Sequence, residues 1–210
     1  MQITEETLTT EQKILQAARK LFIQKGLTGT RMDDIAKEAG INKALLHYYF
    51  RSKEKLFELV FEEESKHFLG KILDAIESDK SLFEKIAQLV EIDTEHYLHN
   101  SCGASVPMFV FYEMARDPEL AARQMRFKTG LTRRIMDVFG QQIKIEIEKG
   151  TIRPIDPSDL FINIMGLVLM PFMAKPMLQI MHDWDEEAFR QIAEKRKKEI
   201  TEFIINAIKV

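Results

Sequence analysis

The sequence predicts an all-α protein. An N-terminal three-helix helix-turn-helix domain occupies residues 1–55, and a larger helical domain occupies residues 56–210. Three observations carry this. Apolar residues recur at helical spacing, as in Ile14, Ala17, Ala18, Leu21 and Phe22, and no stretch alternates with the period of two that marks a half-buried strand. Capping residues stand ahead of these runs, at Thr9, Asn42, Ser52, Ser81 and Asp156. No proline precedes Pro107, so nothing in the first half forces a helix to break.

In chain order, residues 1–8 read as a frayed arm. Thr9 and Gln12 fit a capping box that opens the first helix, and Gly26 ends it. Thr30 stands where it would cap a short helix ending at Ala39, with Gly40 in the left-handed position just beyond. Asn42 caps a second short helix running through Phe50, so the link is only Gly40–Ile41–Asn42. Ser52 caps a third helix, which opens into Leu56, Phe57 and Val60. Two short helices joined by so tight a turn form the helix-turn-helix used on DNA.

The second short helix carries the recognition chemistry. At 100° per residue, Leu46, Tyr49 and Phe50 share the side that faces the core. Ala44, His47 and Tyr48 point away from it, flanked by Lys43 and Leu45. Alanine allows close approach, the two rings can bond phosphates or base edges, and Lys43 and Lys53 can reach backbone phosphates. From Asn42 to Lys55 there are four basic residues and one acid. A tyrosine pair alone is more often core or rim, and a lysine cluster alone is a solvated face. Their order and spacing together favour DNA.

The stretch GINKALLHYYFRSKEKLF resembles the signature of TetR-type transcriptional regulators, in which Gly, an aliphatic, Lys, Leu-x-Tyr, an aromatic and Phe-x-Ser-Lys-Glu recur. The upstream AARKLFIQKGLTGTRMDDIAKEAG is similar to that family's first two helices. His47 stands where the family usually has Tyr, Tyr49 where it often has His, and Leu45 replaces a frequent polar residue. The candidate DNA-contacting residues are Thr30, Arg31, Asn42, Lys43, Ala44, Leu45, His47, Tyr48, Tyr49 and Lys53. The resemblance implies a homodimer on a pseudo-palindromic double-stranded operator, a small-molecule effector, and a fourth helix that joins head to body and moves when ligand binds.

In the body, the helix opened by Ser52 runs to about Glu77, with Gly70 inside it. Ser81 and Glu84 form a second capping box, opening a helix to Leu98. Asp93, His96 and His99, with Glu95 and Cys102 nearby, have a loose metal-like spacing that a wet helix face explains equally well, so no metal is assigned and no cofactor is expected. A short helix follows Pro107. Asp117 with Pro118 starts a helix to Gly150. Nine of the eleven methionines lie from Met108 onward. Methionines and aromatics suit an adaptable apolar pocket, with His96, Met108, Phe109, Tyr112, Phe127, Met136, Phe139 and Met165 as its candidate lining. An ordinary core with methionine as filler reads the same composition.

Asp156 with Pro157 repeats the cap-then-proline start. Leu160–Met173 is apolar apart from Asn163, too short for a bilayer, which needs about 20 residues, so it must be buried in the core or in a partner. Pro171 and Pro176 should break or kink it. Asp183 with Glu186 starts the last helix, through Ile208, with Phe189, Ile192, Ile200, Phe203, Ile204 and Ile208 along one side. The run EKRKKE, 194–199, reads as a solvated face. The last two helices resemble the family's four-helix dimer interface.

Charge distribution agrees with this division. Residues 1–55 hold ten Lys/Arg and seven Asp/Glu, whereas residues 56–210 hold twenty and twenty-six. A basic head on an acidic body suits a protein that touches DNA with one end. Cys102 is the only cysteine, so no intrachain disulfide forms. No signal-peptide pattern opens the chain, no helix spans a membrane, and a cytoplasmic location is expected. No phosphate loop, metalloprotease motif, nucleophile elbow or cofactor fingerprint is present, so an enzyme is not expected. The expected function is sequence-specific DNA binding, as a transcriptional repressor released by a small apolar or amphipathic molecule. Two alternatives stay open: a regulator controlled by a partner without any effector, and a helical carrier or enzyme with a vestigial head.

Overall fold

A computed structural model describes residues 8–98 and 118–210, and within them all side chains except those of residues 61, 64, 65 and 118–129. The helices are α1 (Thr10–Gly29), α2 (Met32–Glu38), α3 (Lys43–Tyr49), α4 (Lys53–Glu77), α5 (Leu82–Leu98), α6 (Pro118–Glu148), α7 (Pro157–Met173), α8 (Lys175–His182) and α9 (Glu186–Ile208). Among the described residues there is no strand, only an isolated antiparallel bridge between Ile152 and Lys209. The chain is all-α, as its periodicity requires. The described residues divide into two compact units, 8–66 with 118–127 and 67–98 with 128–210, and the division by compactness falls inside α4. The predicted N-terminal arm, the Asp117 cap and the short helix after Pro107 lie outside the described residues.

The first unit packs Ile14, Leu21 and Phe22 of α1 against Ile35 of α2, Leu46 of α3, and Leu56 and Phe57 of α4. Phe22 and Phe57 meet edge to face, their centroids 5.3 Å apart. The capping box forms as read: Gln12 N–H donates to the Thr9 hydroxyl, and Thr9 N–H donates to the Gln12 side chain. Gly26 does not end α1 but kinks it, at φ 71°, and the chain then adds a turn to Gly29.

That extra turn corrects the reading of Thr30. Arg31 is the N-cap of α2, without a side-chain cap, and Asp33 and Asp34 in the first turn complement the helix dipole instead. Thr30 is fully buried, and its hydroxyl donates to the carbonyls of Leu21 and Gly26 beside the kink. It braces α1 and is withdrawn from the surface.

The second unit has its own core, with Ile72 and Ile76 of α4, Ile86, Leu89 and Val90 of α5, Ile135 and Phe139 of α6, Ile164 and Val168 of α7, and Ile204 of α9. Ser81 and Glu84 cap α5 reciprocally, and the Ser81 hydroxyl and backbone N–H hold the Glu84 carboxyl below its ordinary range. Asp156 caps α7 by accepting from Ser158 N–H at 2.7 Å. Helix α6 stops at Glu148, and Gly150 takes the left-handed φ of 70° that turns the chain out.

The last three helices depart from the sequence reading. Pro171 does not break α7. Its missing N–H would orphan the carbonyl four residues back, at Leu167, and Arg196 from α9 donates to that carbonyl at 3.3 Å. The break comes at Ala174 instead, and α8 leaves at 64° to α7. Asp183 is not the cap of α9: it ends α8 in the left-handed region, and Asp185 caps α9 by accepting from Ala188 N–H. The charge run is not all solvated. Lys197 turns inward onto Glu91, Glu95 and Glu194. Burial opposes its charge, but the three carboxylates win and hold its pKa above the ordinary lysine value. Phe203 leaves the buried side of α9 and is 64% exposed, while Ile162 and Met170 of the apolar run are 63% and 56% exposed. No single helix among the described residues is long and apolar enough to cross a membrane.

Candidate nucleic-acid interface

The turn between α2 and α3 is built by its backbone. Gly40 N–H donates to the Lys37 carbonyl and Ile41 N–H to the Ala36 carbonyl, the paired bonds of a Schellman end. Gly40 sits at φ 68°, where a side chain would be strained. Asn42 then starts α3, its side-chain oxygen accepting from Leu45 N–H at 2.7 Å. Two anchors fix the helix rotation: Leu46 is fully buried, and Phe50, past the helix end in extended backbone, turns back into the core.

This rotation exposes Asn42, Lys43, Ala44, Leu45, His47, Tyr48 and Tyr49 together. Tyr48 is 81% exposed. Tyr49 is corrected from the core side to the surface. It lies edge-on to Tyr48 at 5.6 Å and tilts against Phe50 at 6.5 Å, at the edge of the stripe that Leu46 centres, and 41% of it stays exposed.

Lys43 pairs with Asp33 across the two short helices at 2.7 Å, both side chains more than half exposed. Such a pair contributes about 0–1 kcal/mol, so a phosphate can displace the acid. Lys53 opens α4, whose first turn Ser52 caps by accepting from Lys55 N–H at 3.1 Å. Arg31 is exposed at the start of α2. The structure thus brings nine of the ten candidate contacts to one small unit, with Thr30 withdrawn.

The candidate pocket residues are scattered. Phe139 is sealed in the core, and Met136 and Met165 are half-buried. His96 stacks on Phe68 at 4.4 Å. Met108, Phe109, Tyr112, His99, Cys102 and the side chain of Phe127 lie outside the described residues. A cavity of about 250 Å³ does open between α7, α8 and α9, walled by Val168, Phe172, Leu178, Trp184 and Phe189 with Thr94 of α5, and it includes none of the eight. Among the described residues no three His, Cys, Asp or Glu could hold a metal ion.

The spacing of Asp93 with His96 and His99 fits a loose metal set or a wet face, and the structure buries Asp93 instead. It is 6% exposed, on the same stripe of α5 as Ile86, Leu89 and Val90, and burial pushes its pKa up to about 7. Burial and then the charge of Asp93 push the Tyr97 hydroxyl above its ordinary range. Lys85 is buried on the same helix, its ammonium donating to the Gln142 side chain at 2.8 Å, and burial draws its pKa down against the opposing charge of Asp79. The missed signal was spacing: both lie three or four residues from apolar members of the α5 stripe.

Comparison with known proteins places these features. The profile of bacterial regulatory proteins of the tetR family matches residues 14–60, which are α1 through the first turns of α4. HTH-type transcriptional regulator RutR of Escherichia coli (strain K12) is 30% identical over 151 residues, covering 72% of this chain and 68% of RutR. The biofilm operon icaADBC HTH-type negative transcriptional regulator IcaR of Staphylococcus aureus (strain Newman) is 50% identical over 46 residues, 22% of this chain and 25% of IcaR. Among solved structures, that of AibR in complex with isovaleryl coenzyme A and operator DNA superposes with a TM-score of 0.66 at 19% identity, covering 90% of this chain and 96% of AibR, a likeness that carries the fold.

Proposed function

The chain belongs to the TetR family of DNA-binding transcriptional regulators, and from that premise we propose that it is a repressor released from its operator by a small apolar or amphipathic effector. The observation that carries the DNA reading is the α3 face, which puts a small residue, two tyrosines and a histidine outward over an apolar anchor. Lys43, Lys53, Arg31 and Asn42 position the protein on phosphates. Ala44, Leu45, His47, Tyr48 and Tyr49 read base edges in the major groove. Thr30 acts behind them as a brace. IcaR is named a negative regulator, which supports repression, and AibR was solved in complex with isovaleryl coenzyme A and operator DNA, which supports a body that takes a small molecule.

The working state in the cytoplasm is a homodimer. Ile162 and Met170 of α7 and Phe203 of α9 are large apolar side chains left in solvent, and a second copy covers them about a two-fold axis. Two heads then meet half-sites about 34–36 Å apart, or a multiple of this. Helix α4 belongs to both units and passes the effector's influence to the heads. Couplings of about 1–3 kcal/mol weaken DNA binding by about 5–150-fold.

The test is fluorescence anisotropy of the purified protein on tiled fragments of its own upstream DNA, at two salt concentrations, against scrambled competitors. One fragment should bind about a thousandfold tighter than competitor. Uniform weak binding, with no sequence enriched from a random library, would overturn the reading. Sedimentation velocity tests the dimer: Ile162→Glu with Phe203→Glu should weaken self-association by more than about a hundredfold.

A further inference from the structure

The cavity between α7, α8 and α9 has walls of two kinds. Val168 and Phe172 of α7, Leu178 of α8, and Phe189 and Ile200 of α9 make it apolar on three helices. Among its described walls, Arg196 is the only charged residue.

An arginine on a helix rim ordinarily carries its head out to water. Arg196 is drawn inward by a gap in the neighbouring helix. Pro171, itself a wall of the cavity, has no N–H, so the Leu167 carbonyl four residues back lacks its helical donor. Arg196 donates to that carbonyl at 3.3 Å and is half-buried. The bond uses one of the five guanidinium N–H groups and leaves the positive charge whole.

The acids nearest along α9, and those facing it from α5, are held by other cations. Glu199, one turn beyond Arg196, pairs with Lys195 at 3.1 Å. Glu91, Glu95 and Glu194 converge on Lys197, and Glu186 pairs with Lys175.

A guanidinium among apolar walls selects its ligand by charge and by shape. Its planar fork matches the two oxygens of a carboxylate, and a dry surround strengthens that pairing. A cation is repelled from the same place. The apolar walls take a hydrocarbon body. The cavity's 250 Å³ lies under the about 300–1,000 Å³ of pockets for drug-sized ligands, so the body is small.

We propose that this cavity is the effector site, that Arg196 receives a carboxylate there, and that the effector is a small monocarboxylic acid with an apolar body. This rests on the effector reading above and gives it a place and a chemistry.

Trp184 is the chain's only tryptophan and walls the cavity, so its fluorescence reports occupancy. The experiment titrates the full chain at pH 8 with octanoate, octan-1-ol and octylamine, read by Trp184 fluorescence and by isothermal titration calorimetry. Octanoate should bind at least about tenfold tighter than octanol, and octylamine weakest, because a charge-assisted pair replaces a neutral bond. Arg196→Gln removes the charge and keeps an N–H donor on the helix. It should bring octanoate and octanol to within about threefold of each other, with octanol affinity unchanged. Ala193→Leu fills the cavity beside an intact guanidinium and should weaken octanoate at least about tenfold. Octanol or octylamine matching octanoate, an acid preference kept in Arg196→Gln, unchanged octanoate binding in Ala193→Leu, or no response to any probe at millimolar concentration would each overturn the site. Release of operator by octanol or octylamine, but not octanoate, would overturn this chemistry and leave the effector reading standing. Octanoate that binds through Arg196 without releasing DNA would uphold the site and overturn its effector role.

Discussion

In the first unit, the only polar side chain in the described core is Thr30, and the rings left outside on α3 all carry a polar atom. In the second unit, Lys85 and Asp93 are inside, and Ile162, Met170 and Phe203 are outside. A buried charge or a large exposed apolar side chain is the informative departure from ordinary globular surfaces. The first unit is therefore finished as a folding problem, and its polar surface waits for DNA. Among its described residues, the second carries a lysine and an acid inside and an apolar face outside, and an apolar face wants another face.

Core truncations test that contrast most severely. Leu46 is the sole buried anchor within a seven-residue helix, so Leu46→Ala should cost about 2–5 kcal/mol and abolish DNA binding at every salt concentration. Phe139→Ala should cost about 3–5 kcal/mol in the second unit. Urea unfolding followed by circular dichroism, with the fluorescence of Trp184 in the second unit alongside, separates the two. If Leu46→Ala shifted the Trp184 transition as far as Phe139→Ala does, the units would not be independent and the comparison would fail.

Asp93 supplies the next largest effect, and it depends on pH. Its folded pKa is raised, so between the unfolded value near 4 and the folded value of about 7 the folded state holds more protons. Stability is then complete below the unfolded pKa and falls as pH rises to about 7, by up to about 4 kcal/mol. Asp93→Asn removes that slope, although burying an amide without a partner costs about 1–3 kcal/mol at any pH. The variant should match or trail the original at pH 4 and exceed it at pH 8. A difference that stays flat with pH would make the second unit as conventional inside as the first.

How much was legible follows the same division. The caps of the first unit are local chemistry, and Thr9, Asn42 and Ser52 all serve as read, as do Ser81 and Asp156 in the second. Local signals failed where a distant group intervened. Thr30 has the right residue type for a cap, but the kink at Gly26 sets two carbonyls within reach of its hydroxyl. Pro171 reads as a helix breaker, but a guanidinium from α9 satisfies the carbonyl it orphans. Asp183 and Asp185 are equally good caps by composition, and only the left-handed turn that ends α8 chooses between them. By residue type Asp93 fits a wet face or a loose metal set, and only its spacing of three and four residues from Val90 and Leu89 marks the covered side of α5, a spacing that Lys85 shares with Leu82 and Leu89.

The DNA face is where residue roles divide. Lys53→Ala removes one phosphate contact, so affinity should fall uniformly across sequences and the salt dependence should lose about one unit of slope. His47→Ala should instead change which operator bases matter, by about 1–3 kcal/mol at the position it reads. Anisotropy titrations on a set of single-base operator variants distinguish them. Equal losses for both substitutions on every sequence would erase the division between phosphate and base contacts.

The smallest effect isolates position from energy, because the same cap can be deleted in both units. Asn42 accepts from Leu45 N–H and Asp156 accepts from Ser158 N–H, each at 2.7 Å. Replacing either by alanine should cost about 1 kcal/mol. In a chain of this size that lowers the melting temperature by about 2–4 °C. The thermodynamic losses are equal, but the consequences are not. Asn42 holds the first turn of α3, and fraying there moves Lys43, Ala44 and Leu45 together. Asn42→Ala should therefore weaken every operator, through its own lost phosphate contact and the displaced Lys43, Ala44 and Leu45, instead of at the one base position that His47→Ala alters. Asp156→Ala starts a helix in the other unit and should leave DNA affinity unchanged at the same melting shift. If Asp156→Ala weakened DNA binding as much as Asn42→Ala, stability alone would govern affinity, and the α3 surface would lose its claim to a distinct role.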